Sequence, residues 1–258
     1  MNKTRILSWN VNGLRAVGKK DFLPWLLKES PDVLCVQEIK ATPLQLPPEL
    51  RHPPGYESFW NSAERPGYSG VGIFTKATPL NISDKMDVPR FDNEGRWLLV
   101  EFEKFILINI YFPNGKRDAE RLRYKLDFYE ESLKIFTRLV KKGKRVIFCG
   151  DVNTAHAPID LSHPEQNEDV SGFLPEERAW MDKVVKSGFI DAFRYLHPDA
   201  KEAYTWWDLR TGARARNIGW RLDYFFISTG VEAHLQEACH LTEVKGSDHC
   251  PVAITLDS

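Results

Sequence analysis

A chain of 258 residues with 42% hydrophobic side chains and eight tryptophans is too apolar for a disordered segment and long enough to bury a substantial core, as one large domain or two small ones. Its formal charge of −1 argues against a polybasic scaffold but leaves room for a local cationic face that meets nucleic acid. Cys35, Cys149, Cys239 and Cys250 lie far apart with no C-x-x-C pair, which points to reduced core residues, and no Cys/His cluster supports zinc. Residues 1–4 pass directly into a strand-like run without a signal peptide, and no apolar stretch approaches the ~20 residues of a membrane span. The expectation is a soluble cytoplasmic protein, nucleoid-associated in a prokaryote.

Taken in chain order, runs rich in β-branched and aromatic residues predict strands at 5–9, 33–36, 70–75, 97–102, 105–111, 146–149, 204–207, 222–227 and 252–256. A first helix falls near 22–28. The longest takes Asp118 as N-cap and repeats apolar residues at Leu122, Leu126, Tyr129, Leu133, Phe136 and Val140, one stripe along roughly six turns before Gly143 ends it. A third runs 176–187, with Pro175 near its start and Gly188 after it. The close succession of 97–102 and 105–111 predicts a hairpin, while a helix separates the first two strands, so the sheets should be mixed. So many strands imply an α/β fold of two sheets stacked face to face with helices outside; a doubly wound single sheet is the alternative that pattern leaves open. No linker divides the chain, which is read as one domain over 1–258.

Polar residues gather where strands end. Asn10 and Asn12 follow the first, Gln37-Glu38 the second, Tyr111 and Asn114 the fifth, and Asp151 and Asn153 the sixth. Asp223 opens a late strand, and Asp248-His249 sits in a Gly/Ser-preceded turn before the last one. Turns favour Asn, Asp and Gly in any case, and a lone Asp-His pair is also what an Asx-turn beside a surface histidine looks like. Gln37-Glu38 differs. It is no turn signal, and an acid directly after a buried strand carries a desolvation cost unless a cation meets it. One carboxylate with carboxamides and water is a hard-cation site of the magnesium type. A short internal echo, Asn10-Val11-Asn12 against Asp151-Val152-Asn153, suggests two related halves whose strand ends share one rim.

The segments 8–15 (Ser-Trp-Asn-Val-Asn-Gly-Leu-Arg), 35–40 (Cys-Val-Gln-Glu-Ile-Lys), 109–114 (Asn-Ile-Tyr-Phe-Pro-Asn), 149–156 (Cys-Gly-Asp-Val-Asn-Thr-Ala-His), 217–224 (Asn-Ile-Gly-Trp-Arg-Leu-Asp-Tyr) and 246–251 (Gly-Ser-Asp-His-Cys-Pro) together resemble the exonuclease III family of apurinic/apyrimidinic endonucleases, within the endonuclease/exonuclease/phosphatase superfamily. The blocks span essentially the whole chain. The resemblance implies a four-layer α/β sandwich of two stacked mixed β-sheets flanked by helices. It implies hydrolysis of the phosphodiester 5′ to an abasic site in duplex DNA, leaving a 3′-hydroxyl and a 5′-deoxyribose phosphate. Side activities expected with it are 3′→5′ exonuclease, 3′-phosphodiesterase, and incision at damaged bases or uracil.

By the same resemblance, Glu38 is the principal ligand of a magnesium ion that manganese can replace, with Asn10 and Asp248 close by and Asp151, Asn153 and His249 completing the metal-lining set. Asp151 manages the attacking water with Asn153, and His249, fixed by Asp223, hydrogen-bonds the phosphate. Tyr111 donates to the phosphate or the leaving group. Some family members carry an aspartate at the position of Asn12, so Asn12 is read as lining the site rather than as a ligand.

For DNA, a monomer is expected to use Trp206, Trp220 and Leu222 as an apolar pocket for a flipped baseless sugar, and Arg210 as the region inserted into the duplex. Arg210, Arg214, Arg216 and Arg221 interleave with tryptophans in the manner of nucleic-acid binders. Lys116, Arg117, Arg121, Arg123 and Lys125 crowd a helix start that would favour acids, with Asn114, Lys116 and Lys125 as the backbone-contact candidates. A phosphoinositide phosphatase or sphingomyelinase of the same superfamily, or a DNA-binding module with a decayed site, are the rival readings.

Overall fold

The computed structural model describes residues 3–257. Its strands are β1 (Lys3–Asn10), β2 (Val33–Gln37), β3 (Glu57–Asn61), β4 (Val71–Thr75), β5 (Asn81–Ser83), β6 (Trp97–Glu101), β7 (Ile106–Tyr111), β8 (Val146–Asp151), β9 (Phe189–Asp191), β10 (Trp206–Trp207), β11 (Gly219–Trp220), β12 (Asp223–Ser228), β13 (Leu235–His240) and β14 (Val252–Asp257). One sheet has the order β13-β14-β1-β2-β4-β3 and the other β5-β6-β7-β8-β12-β9, while β10 and β11 pair as a separate ribbon. In each sheet the central pair, β1 with β2 and β7 with β8, is parallel and every other neighbour is antiparallel. Read backwards, the second order matches the first position by position, β8 standing where β1 stands and β7 where β2 does. The echo between residues 10–12 and 151–153 is therefore an echo in topology as well.

Period-two alternation builds the layers. Ile6, Cys35, Ile73, Leu107, Ile147, Cys149, Phe225 and Ile254 point into the space between the sheets and form one buried cluster. Their neighbours point outward: Leu7, Leu34, Val36 and Phe74 pack with Phe22 and Leu26 of the helix Phe22–Glu29. On the other side, Ile108, Ile110, Phe148 and Phe226 pack under the helices Ala119–Lys141 and Pro175–Lys186. Phe136 stacks on Phe148 with centroids 4.1 Å apart, and Tyr129 on Trp180 at 4.0 Å, which fastens both helices to that sheet and to each other. The result is the four-layer arrangement, two mixed sheets inside and helices outside.

The long helix begins where expected, with the Asp118 carboxylate accepting from the Arg121 backbone N–H at 2.7 Å. The hairpin forms between β6 and β7, Trp97 opposite Ile110. Strands β3, β5, β9, β11 and β13 were not expected from pattern, because they are short or lie at sheet edges where one face is solvated and polar residues interrupt the apolar run. The run expected at 204–207 pairs only over Trp206–Trp207. One glycine governs the centre: Gly150 has φ 136, and a Cβ there would lie 1.8 Å from the Ile110 carbonyl oxygen, so only glycine lets β8 run this close to β7 before Asp151.

Candidate active site

The strand-end residues share one parity. Asn10 continues the face of Ile6 and Ser8, Asp151 that of Ile147 and Cys149, and Asp223 that of Phe225 and Ile227, so all three carry the inter-sheet face out to one rim, where they are buried. There the Asn10 amide donates to Asp151 Oδ2 and to Glu38 Oε1, both at 2.9 Å. After the strands the chain turns sharply, with left-handed φ of 47° at Asn12, 52° at Glu38 and 56° at Asn153. Asparagine tolerates that region; glutamate adopts it at a cost, and such backbone is held only by over-determined surroundings. The two echoed segments make the same Asx-turn, Asn12 N–H donating to Asn10 Oδ1 at 3.0 Å and Asn153 N–H to Asp151 Oδ1 at 2.8 Å.

A buried acid–imidazole–acid row crosses the rim. His249 Nδ1 lies 2.8 Å from Asp223 Oδ2, and its Nε2 lies 3.8 Å from Asp151 Oδ2. Thr205 Oγ1 accepts from the backbone N–H groups of Leu222 and Asp223 at 3.0 and 3.1 Å, so its own proton goes to Asp223 Oδ2, 2.6 Å away. Burial opposes charging of His249, but the carboxylates of Asp223 and Asp151 outweigh it and raise the imidazole to about 10. Burial, with repulsion from Asp223 and Glu38, pushes Asp151 up to about 7 against the pull of His249. The ring is thus a cation at neutral pH with both nitrogens as donors, and Asp151 is an acid poised near neutrality, the range in which a proton acceptor works best.

Glu38 is held differently. Burial opposes its ionisation, yet Lys40 at 2.8 Å and the Asn10 amide lower its value on balance. Asp248 is likewise lowered: burial opposes, and His249, the Trp206 indole at 3.1 Å and the Asn12 amide at 2.9 Å outweigh it. One atom each of Asp151, Asp223 and His249 lie within 4.8 Å of one another, close enough to share an ion. There Asp223 Oδ2 already accepts from Thr205 and lies against the ring, and Asp223 Oδ1 is buried without a hydrogen-bond partner among the described residues. Glu38, Asp248 and the amide oxygens beside them form an all-oxygen set of the kind hard cations take, and an ammonium already rests against it, so that side of the rim fits a divalent ion.

Glu38, Tyr111, Asp151, Asn153, Asp248 and His249 line one cavity of about 210 Å³, whose far wall is Trp206, Trp220 and Leu222 with Gly172 beneath. Gly172 has φ 107, and a Cβ there would come within 3.2 Å of the Trp220 ring, so glycine keeps the slot open. Asn114 closes over Asn153, its amide donating to Asn153 Oδ1 at 3.0 Å, and the Lys116 ammonium lies 5.3 Å from the Trp206 ring centre. Half-buried Tyr111 faces the acids, and burial together with Glu38 raises its hydroxyl well above the ordinary value. Open grooves flank the cavity: one of about 710 Å³ bears Arg65, Arg96, Lys116, Arg117 and Arg121, and one of about 890 Å³ bears Arg15, Lys19 and Lys40. Arg210 stands out from the surface with its side chain 91% exposed.

Three basic expectations need correction. Lys125 does not face a DNA backbone: it is fully buried, donating to Glu177 Oε1 at 2.6 Å, the Asn153 carbonyl at 2.7 Å and Thr154 Oγ1 at 2.9 Å, which uses all its protons. Arg221 is also buried, 2.8 Å from Asp160 and 2.7 Å from Asp191. Arg214 reaches the carbonyls of Thr242 and Val244 and stacks on Trp207. These cations hold the loops behind the pocket. Lys40, Thr205, Arg96 and Gly172 were not singled out from sequence. Thr205 is buried 18 residues before its acid, a contact no local pattern carries.

The chain belongs to the Endonuclease/Exonuclease/phosphatase family, whose model matches residues 7–249. Within it, the chain falls among the exonuclease III-type apurinic/apyrimidinic endonucleases. It is 42% identical over 254 residues to an exodeoxyribonuclease of Bacillus subtilis, covering 98% of this chain and 99% of that protein. It is 40% identical to the DNA repair nuclease APEX1 of Danio rerio, covering 98% of this chain and 82% of that one. An AP endonuclease structure from Archaeoglobus fulgidus superposes with a TM-score of 0.90 at 29% identity, over 99% of this chain and all of that one (100%).

Among the described residues no helix is long and apolar enough to cross a membrane.

Proposed function

We propose that this protein is a magnesium-dependent DNA repair nuclease that hydrolyses the phosphodiester 5′ to an abasic site in duplex DNA, leaving a 3′-hydroxyl and a 5′-deoxyribose phosphate. The observation that carries the reading is the adjacency, in one cavity of about 210 Å³, of the buried Asp151, His249 and Asp223 row and an aromatic-walled slot. Named relatives acting as exodeoxyribonuclease and DNA repair nuclease support it.

Glu38, with Asn10 and Asp248 beside it, would hold the magnesium ion, which when bound supplies neutralisation of charge on the phosphate; manganese takes similar oxygen donors. Asp151 accepts the proton of the attacking water, and Asn153, tied to Asp151 and to the Phe112 carbonyl at 2.9 Å, keeps it in line. His249 donates from Nε2 to a phosphate oxygen while Asp223 keeps the ring charged. Tyr111 donates to the departing side. Trp206, Trp220 and Leu222 receive the baseless sugar, whose extrusion lacks the stacking and pairing cost of an intact nucleotide. The grooves on either side, in which cations outnumber the acids Glu64 and Glu94 in one and Asp21 and Glu49 in the other, suit the two arms of the duplex, with Asn114, Lys116 and the projecting Arg210 at the lesion. The same machinery acting at a strand end gives 3′→5′ exonuclease or 3′-phosphodiesterase activity.

The test is a duplex carrying one tetrahydrofuran abasic analogue, offered with magnesium or with chelator, beside an inositol phosphate. Incision of the duplex alone, with metal alone, and its loss in Asp151→Asn is the expected result. Phosphate release from the inositol substrate would overturn the reading in favour of a phosphatase, and binding without incision would mark a DNA-binding module.

A further inference from the structure

Glu38 and Lys40 both have left-handed backbones, φ 52 and 50, on either side of the fully buried Ile39. Two such residues in three are uncommon, and the surroundings hold them. Ile39 N–H donates to the Gly70 carbonyl at 3.1 Å and Lys40 N–H to that of Ser69 at 2.9 Å, while Gly13 and Leu14 N–H donate back to the carbonyls of Glu38 and Ile39 at 2.7 and 3.1 Å. Pinned from both sides, the segment sets an acid and an ammonium next to each other. Lys40 Nζ lies 2.8 Å from Glu38 Oε2 and donates to Asn12 Oδ1, and Asn12 donates onward to Asp248 Oδ1 at 2.9 Å. The other Glu38 oxygen is taken by Asn10 at 2.9 Å.

Resting on the metal site proposed above, we infer that Lys40 is a tethered competitor of the divalent cation: its ammonium occupies the oxygens of Glu38 and Asn12 until the ion displaces it, and so sets the metal affinity. A divalent ion at Glu38 must break a half-buried ion pair, with side chains 33% and 17% exposed, and would repel an ammonium left in place. The displaced side chain has room, since Lys40 also borders the groove of about 890 Å³ that contains Glu49. The carboxamide at Asn12 matters here, because among the described residues Glu38 is then the sole acid that the ammonium touches, and the metal-free pair is balanced one to one.

The test needs no DNA and no turnover. Full-length protein stripped with chelator is titrated with manganese, followed by electron paramagnetic resonance of the free ion, and with magnesium by calorimetry. Lys40→Met, which keeps the aliphatic stem, should bind both ions about five- to tenfold more tightly than wild type. It should also gain more in melting temperature on adding metal. Lys40→Arg, which keeps the charge, should bind within about twofold of wild type. Lys40→Gln gives the same comparison if the methionine variant does not fold. Unchanged or weaker binding in the neutral variants, with wild type binding measurably, overturns this inference alone. A wild-type protein that binds neither ion overturns the metal site itself and this inference with it.

Discussion

Asn10 donates to the Asp151 carboxylate at 2.9 Å, joining the end of β1 in one sheet to the end of β8 in the other, and the same amide group donates to Glu38. A single carboxamide therefore keeps the two acids apart and oriented. Asn10→Asp would set a third carboxylate against both and remove the donor. Incision of an abasic duplex is expected to fall at least about 100-fold, the scale on which a mispositioned proton acceptor acts, while duplex affinity in chelator changes little. Single-turnover kinetics beside equilibrium binding separates the two; equal losses in both would show that Asn10 serves binding rather than chemistry.

Asp151 gives the protein a pH signature independent of turnover. A carboxyl raised to about 7 in the fold, from about 3.9 in the unfolded chain, binds more protons folded than unfolded between those values. Its contribution to stability is therefore full at low pH, declines as pH rises through that window, and is gone above about 7. Asp151→Asn does not titrate. In chelator, the unfolding free energy of the variant minus that of wild type should rise from pH 4 to 7 and then level off, as read from urea melts. A flat difference would place the Asp151 value in the ordinary carboxylate range.

What sequence could show follows from which contacts are local. Asn10, Asp151 and Asp223 stand at the ends of apolar runs, so their place at strand ends could be read locally; β8 and β12 are buried on both faces, with apolar residues on each, so the face these side chains share could not. Lys125 shows the limit. It lies on the face of Tyr129, Ser132 and Phe136, at spacings of four, three and four, so its position alone marks it as inward-facing. Its neighbours Lys116, Arg117, Arg121 and Arg123 suggested a cationic surface instead, and the acid that neutralises it, Glu177, lies 52 residues further along. Long-range partners of this kind, like Thr205 for Asp223, leave no local trace. Nor do edge strands such as β13, whose Gln236 and Glu237 face solvent.

Lys125 and Lys116 should consequently behave as opposites. Lys125→Met strands the Glu177 carboxylate in the core and is expected to cost about 3–5 kcal/mol of stability, with part restored by adding Glu177→Gln. Lys116→Ala should leave the melting temperature near wild type but weaken duplex binding and reduce the slope of log affinity against log salt by about 1. Denaturant melts and binding titrations across a salt series read these. A stable Lys125→Met variant with a reduced salt slope would return that lysine to the DNA surface.

The cations behind the pocket set a pH dependence opposite to that of Asp151. Asp160 is buried and accepts from Arg221 Nε at 2.8 Å and from Arg194 Nη2 at 2.6 Å. Burial opposes its charge, but the two guanidinium groups outweigh it and lower the carboxyl to about 2. The unfolded chain then binds more protons between about 2 and 3.9, so the stability from this group is complete above the unfolded value and lost as pH falls through the folded one. Asp160→Asn leaves Arg221 buried with only Asp191 beside it, and at pH 7 should cost about 3–5 kcal/mol. That difference from wild type should shrink steadily as the pH is lowered below about 4. Because Arg221 lies between Trp220 and Leu222, incision by the folded variant should show a raised KM for abasic duplex with kcat less affected. Unfolding curves that differ by the same amount at pH 7 and pH 3 would mean that packing, and not charge, is what Asp160 contributes.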